Sequence, residues 1–279
     1  MTFVIDVGGG QRGIFGAGVL DRCLEDNVSF DGCIGVSAGG ANVMSFLGGQ
    51  KGRNYAFYHE YAMRREYMSL SNLVRKGSYI DLDYIYGTLS REDGENPLDY
   101  DAIAAYGGLL LIPATDAATG RAVYFSRGDL SRNDYRVLNA SCCLPLMCRP
   151  VTIGEAAYFD GGVADPVPVE KALESGADKF VLILTRPLDF VMEGKFESAA
   201  AQLLAKKYPA VSRALRERPE RYNAAVTRAK ALAEEGRCLI LAPDAVKGTG
   251  TVQKDAAVLD ALYREGYEKA AQIRGFLSD

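Results

Sequence analysis

The sequence predicts an α/β protein built in three layers, with helices covering both faces of a mainly parallel central sheet. Three observations lead there. Short apolar, β-branched runs alternate with stretches of helical spacing along most of the 279 residues. Two strand–loop–helix units with glycine-rich turns fill the N-terminal part of the chain. An apolar run at 238–242 follows a long helical stretch and returns the chain to the sheet. One domain over residues 1–279 is therefore expected. Its motifs lie within about 3–187, and a helical C-terminal extension at about 190–279 carries one further strand.

Phe3–Val7 reads as the first strand and runs into the glycine cluster GGGQRG at 8–13. The helix after it carries Ile14, Val19, Leu20 and Leu24 at helical spacing. Cys33–Val36 is a short apolar strand, followed by Ser37 and a small-residue helix over roughly 38–47. Leu109–Ala114 and Val123–Phe125 are strands joined by a turn around Thr119–Gly120. Val151–Ile153 and Ala156–Phe159 form a hairpin over Gly154–Glu155. A short helix at about 168–175 precedes a buried strand, Phe180–Thr185. Beyond Pro187, residues 196–236 have helical spacing, with interruptions expected at Pro209 and Pro219. Cys238–Ala242 is the late strand, and about Asp255–Phe276 the last helix.

The composition, 48% hydrophobic and 24% charged, excludes collagen-like, disordered and coiled-coil chains. No basic, apolar leader opens the sequence, and Gly108–Ala114 or Phe180–Leu184 fall far short of the ~18–20 residues of a membrane span. The six cysteines form no C-x-x-C pair, so reduced, mostly buried thiols in a cytoplasmic protein are expected. A net charge of −4 argues against nucleic acid as a partner. Between Gln202 and Arg237 nine Lys or Arg face four acids, either a solvated helix surface or a face for anionic lipid headgroups. The lone histidine, His59, excludes a multi-histidine metal site, and no acidic cluster suggests a calcium loop. No metal and no cofactor is called for.

Three loops carry chemistry. Gly8, Gly10 and Gly13 satisfy G-x-G-x-x-G between a strand and a helix, and Asp31 lies where a ribose-binding acid would be sought. The same backbone amides could instead hold a tetrahedral oxyanion, and the motif alone does not choose. Gly35-Val36-Ser37-Ala38-Gly39 is a G-x-S-x-G nucleophile elbow, whose glycines permit a tight, strained turn. Asp160-Gly161-Gly162 ends the hairpin strand, either as a plain turn or as a base for a serine hydroxyl. The histidine count limits the mechanism. His59 sits in YAFYHEYAMRR, soon after the elbow helix, so a Ser…Asp…His order cannot be built. If Ser37 is a nucleophile, a carboxylate is its base, and His59 is a surface or packing residue.

Together these loops resemble the patatin-like phospholipases: VGGGQRG (7–13) as oxyanion loop, GVSAGG (35–40) as elbow and DGG (160–162) as base turn. NASCCLP (139–145) and the DPVPVEKALESGADKFVLI that follows the DGG fit as well. The resemblance implies a Ser37–Asp160 dyad acting through an acyl-enzyme, with the oxyanion held by Gly8, Gly9, Gly10 and Gly13 and Arg12 at the family's basic position. Gly35, Gly39, Gly161 and Gly162 then shape the elbow and base turns. Arg12 could instead orient the loop by pairing with a carboxylate. Asp6, where such strands are often apolar, departs from the pattern and would need a partner if buried.

Residues 55–86 hold eight aromatics, Tyr55, Phe57, Tyr58, Tyr61, Tyr67, Tyr79, Tyr84 and Tyr86, a packing layer or the wall or lid of an acyl pocket. The resemblance implies lipid esters, phospholipid or acylglycerol, as substrate; a chain that spans no bilayer can still touch one, and the basic 202–237 face leaves peripheral membrane contact open. The competing readings are a nucleotide-binding oxidoreductase, which leaves the elbow and DGG unexplained, and a non-catalytic lipid-binding protein.

Overall fold

The computed structural model describes residues 1–245 and 255–278. Among them, eight strands form one sheet: β1 (Thr2–Asp6), β2 (Gly32–Gly35), β3 (Leu109–Asp116), β4 (Ala122–Ser126), β5 (Val151–Ile153), β6 (Ala156–Asp160), β7 (Lys179–Ile183) and β8 (Cys238–Leu241). Their order is β5-β6-β3-β2-β1-β7-β8, with β4 paired to β3. The run β3-β2-β1-β7-β8 is parallel, and β4, β5 and β6 add antiparallel pairs at the other end. The mainly parallel α/β sheet expected from the alternation is what forms.

Alternation along β1 divides the core. Phe3 and Ile5 pack with Phe180, Leu182 and, from the C-terminal region, Tyr222 and Val226. Val4 points to the opposite face, against Phe15 and Val19 of α1 (Ile14–Glu25) and Val43 and Met44 of α2 (Ala38–Leu47). Each such fully buried apolar side chain contributes about 1.5–3 kcal/mol. These contacts make the three layers.

One feature of the register sets the site. β3 pairs with β2 over Leu109–Leu111 and with β6 over Ala114–Asp116. Because β2 stops at Gly35, the end of β6 takes the next place along β3. The residues that follow β2 and close β6, Ser37 and Asp160, are thereby drawn together.

The C-terminal region departs from expectation at Pro219. Pro209 does mark a break, opening the helix Pro209–Glu234 where its missing N–H costs nothing. Pro219 lies inside that helix, which continues because Ala214, Leu215, Tyr222 and Val226 are buried on both sides of it. The final helix expected at about Asp255–Phe276 divides into Ala256–Lys269 and, after a tighter turn at Ala270–Gln272, Ile273–Ser278, and the first of these lies directly on α1. A Cβ on Gly18 would come 2.1 Å from the Tyr263 carbonyl oxygen, and one on Gly266 2.1 Å from that of Phe15. That contact admits only glycine. All six cysteines are buried and none is paired. Among the described residues no helix is long and apolar enough to cross a membrane.

Candidate active site

Ser37 sits between β2 and α2 with φ 56° and ψ −128°, a conformation that costs a non-glycine residue about 1–3 kcal/mol. Its surroundings hold it there. The Ser37 N–H donates to Ser141 Oγ at 2.9 Å, and its carbonyl accepts from the Gly40 N–H at 2.9 Å. Gly39 is pressed against β1, since a Cβ there would lie 2.2 Å from the Asp6 carbonyl oxygen. Gly35 is pressed in the same way against Gly40. The serine thus caps the N-terminus of the ten-residue α2, where the helix dipole favours developing negative charge.

Gly8, Gly9 and Gly10 all have positive φ, at 64°, 118° and 62°. The buried Asp6 organises this turn and has the partners it needs. Its Oδ1 accepts from the Gly8 N–H at 2.9 Å and its Oδ2 from Asn42 Nδ2 at 2.8 Å. Asn42 also donates to the Gly13 carbonyl at 2.8 Å, and the Thr185 hydroxyl donates to the Gly8 carbonyl. Burial raises the Asp6 carboxyl to about 6, against the opposing pull of Asn42 and the Gly8 N–H. Since the Gly8 amide is engaged by Asp6, Gly8 supplies the turn rather than an oxyanion donor. Gly10 and Gln11 are the loop residues that face the same cavity as Ser37. Gly13 supports the loop against Tyr58 and Ala38, and Gly9 packs against Thr185 and the Arg12 guanidinium. Arg12 is buried behind the loop; burial, then the charges of Arg186 and Arg218, lower its pKa to about 10.

The dinucleotide reading of this loop loses its footing. A Cβ on Gly8 would lie 2.2 Å from the Val36 carbonyl oxygen, so the glycines close onto the elbow. Asp31 accepts from the Thr2 N–H at 2.7 Å, at the opposite end of β1 from the loop.

Asp160 closes β6, its N–H donating to the Cys143 carbonyl at 2.8 Å. Its Oδ1 accepts from the Gly162 N–H at 2.8 Å, while Oδ2 is buried without a completed hydrogen bond. Burial raises the Asp160 carboxyl above the ordinary range; the Ser37 hydroxyl, the Gly162 N–H and the charge of Arg218 pull it back. Gly161 is pressed against the Pro113 carbonyl.

Arg218 is a residue that sequence reasoning misplaced. Grouped there with a basic surface, it donates instead through Nε to the Gly162 carbonyl at 2.6 Å and through Nη1 to Glu197 Oε1 at 2.7 Å. Arg221 reaches the Ala164 carbonyl at 3.1 Å. Two of the nine basic residues thus hold the base turn. Ser141 and Asn42 were likewise missed as supports, although Ser141 lies inside the NASCCLP segment.

Ser37 opens into a narrow cavity of about 40 Å³. Phe57, Tyr58, Tyr67 and Tyr86 line it, with Met68 and Ile85. Half of the aromatic stretch therefore forms its wall. The remainder packs elsewhere, as where the Tyr61 ring lies 4.5 Å beneath the Arg64 guanidinium. His59 does not line the cavity. It stacks on Tyr55 with centroids 4.4 Å apart, and its Nε2 lies 2.9 Å from Asp260 Oδ1 without hydrogen-bond alignment. Among the described residues no group of His, Cys, Asp or Glu is arranged to hold a metal ion.

A family model described as patatin-like phospholipase matches residues 7–173, and one for a domain of unknown function, DUF6363, matches residues 208–274. The uncharacterized protein YjjU of Escherichia coli (strain K12) is 34% identical over 185 residues, 64% of this chain and 50% of that protein. The chain thus spans half the length of this curated relative. Among solved structures, VipD from Legionella pneumophila matches with a TM-score of 0.49 and 14% identity, over 98% of this chain and 66% of that one. The first family model runs from the glycine loop through the elbow to the base turn and beyond, over more than half of the chain, which belongs to the patatin-like phospholipase family.

Proposed function

We propose that this chain is a serine acyl hydrolase that cleaves lipid esters, phospholipid or acylglycerol, through Ser37 and Asp160. The observation that carries the reading is the strained Ser37 beside a buried carboxylate whose Oδ2 lacks a completed hydrogen bond. Such an oxygen is disposed to take a proton. Ser37 Oγ attacks the ester carbonyl carbon as its proton passes to Asp160, and the Gly9–Gln11 segment receives the oxyanion. Collapse expels the alkoxide, which leaves as the alcohol with that proton. Water then attacks the acyl-serine, giving a proton to Asp160, and the carboxylic acid departs as Ser37 recovers its hydrogen. The carboxylate does the work of a histidine.

Peripheral contact with a lipid surface belongs to the same reading. Leu70 and Val74 are 73% and 85% exposed on the helix Leu70–Lys76, just after the cavity residues Tyr67 and Met68. Arg75 follows them and suits anionic headgroups, whereas Lys76 is paired with Asp81.

The test is ester and phospholipid hydrolysis by wild type, Ser37→Ala, Asp160→Asn and His59→Ala, with fluorophosphonate labelling of Ser37. The first two substitutions should abolish turnover and the third spare it. Turnover that survives Asp160→Asn but is lost in His59→Ala would overturn the dyad. Absence of both labelling and hydrolysis would favour a non-catalytic lipid-binding protein.

A further inference from the structure

Arg53 opens the short helix α3 (Arg53–His59) and lines the cavity that contains Ser37. The residue as a whole is half-buried, but its guanidinium is enclosed. Nε donates to the Pro97 carbonyl at 3.2 Å and Nη1 to Ser45 Oγ at 3.0 Å. Nη2 donates to Ser90 Oγ at 2.9 Å and to the Asn96 carbonyl at 2.8 Å. Every one of these acceptors is neutral. Among the described residues no carboxylate lies within the 4.0 Å of an ion pair with Arg53. Burial lowers its pKa to about 10, which leaves it cationic at neutral pH. A guanidinium has five N–H donors, and the four bonds above leave one uncommitted.

An enclosed cation without a counter-charge is costly. A strut between Ser45, Ser90 and the 96–97 turn needs donors but no charge. The position of the charge suggests what it is for. Ala38, Ala41 and Ser45 follow one another along a single face of α2, and the first two line the cavity. Ser45, which holds the guanidinium, lies eight residues beyond Ser37, about 12 Å along the helix at 1.5 Å per residue. Phe57, Ile85 and Tyr86 supply apolar wall to the same cavity. One narrow cavity therefore has a nucleophile and a cation about 12 Å apart on an apolar lining.

We propose that Arg53 binds an anionic oxygen group, carboxylate or phosphate, carried by the substrate about 12 Å from its ester carbonyl, so that the chain selects anionic over neutral esters. The anion takes the uncommitted N–H and replaces the missing counter-charge. The ester end of this assignment rests on the Ser37 reading above; the anion site stands on Arg53 alone. The group could be a terminal carboxylate on the acyl chain or the phosphate of a lipid headgroup.

Binding and turnover test it separately. With Ser37→Ala, calorimetry compares the monomethyl ester of a medium-chain dicarboxylate with its dimethyl ester, and a lysophosphatidic acid with the matching monoacylglycerol. The first pair reads an acyl carboxylate and the second a headgroup phosphate. At least one anionic member should bind about tenfold or more tightly than its neutral match, and the difference should vanish when Arg53→Gln is added. In the active chain, kcat/KM should favour the anionic nitrophenyl half-ester over the neutral ester. Arg53→Gln should erase that preference through KM while still cleaving the neutral ester, and Arg53→Lys, which keeps the charge, should retain part of it. Should Arg53→Gln not fold, Arg53→Lys alone must weaken the preference. Equal binding of both members of both pairs, or a preference unchanged by these substitutions, makes Arg53 a structural strut only and overturns the proposal. If Ser37→Ala binds the anion through Arg53 while wild type cleaves no ester, the anion site stands and the hydrolase reading falls. Ser37-dependent cleavage without anion preference leaves the hydrolase reading standing and removes the anion site.

Discussion

Asn42 Nδ2 donates to Asp6 Oδ2 at 2.8 Å, tying the helix behind the elbow to the strand that launches the glycine loop. The same carboxylate holds the Gly8 amide, and the same asparagine holds the Gly13 carbonyl. One buried acid thus sets the spacing between the glycine loop and the elbow.

That arrangement has a pH signature. Burial raises the Asp6 carboxyl from 3.8 to about 6, so the folded chain holds this proton more tightly than the unfolded one. Stability from this residue is greatest at low pH and declines as pH rises through about 4 to 6, by about 3 kcal/mol in total. Asp6→Asn removes that slope. Melting temperatures measured across this window should show wild type losing ground to the variant as pH rises. A wild-type-to-variant difference that stays constant with pH would refute the assignment.

Gly39→Ala tests the close packing of the elbow on β1. The new methyl would lie 2.2 Å from the Asp6 carbonyl oxygen, a backbone atom that cannot swing aside. Overpacking of this kind costs about 1–3 kcal/mol or more, visible as a lower urea midpoint. Gly275→Ala, where a Cβ meets nothing within 4 Å, is the control and should leave stability unchanged or slightly raised.

The strands, the elbow and the base turn were legible because each is a local pattern: Phe3–Val7, Gly35–Gly39 and Asp160–Gly162 declare themselves within five residues. The supports were not. Ser141 is 104 residues from Ser37, and Arg218 is 56 from Gly162, so no spacing rule joins them. Pro219 misled for a related reason. A proline's cost is local, whereas the burial of Leu215 and Tyr222 that outweighs it depends on packing partners distant in sequence. Arg53 gave no signal at all, because what singles it out is the lack of an acid around it.

Ser141→Ala removes the hydrogen-bond acceptor of the Ser37 N–H and leaves a donor unsatisfied within the elbow. The cost is about 1–3 kcal/mol, and turnover should fall about tenfold as the strained serine relaxes. Ser141→Thr, which keeps the hydroxyl, should lose less. Equal turnover in the alanine variant and wild type would show that the elbow needs no such anchor.

Arg218 can be separated from a purely structural role by the direction in which a pH profile moves. In the proposed dyad Asp160 must be ionised to take the serine proton, so kcat/KM should fall on the acid side as its carboxylate protonates. Burial raises its proton affinity, and the Ser37 hydroxyl, the Gly162 N–H and Arg218 oppose that; Cys142 and Cys143 lie nearby as neutral thiols, and Glu197 acts through Arg218. Arg218→Gln removes a positive charge, raises the proton affinity of Asp160 and should shift the acid limb to higher pH. Glu197→Gln keeps the arginine but removes its counter-charge, and should shift the limb to lower pH. Loss of the Gly162 contact should also reduce the plateau rate in Arg218→Gln. A reduction spread evenly over all pH values, with the limb fixed in both variants, would make Arg218 a brace for the fold and no more.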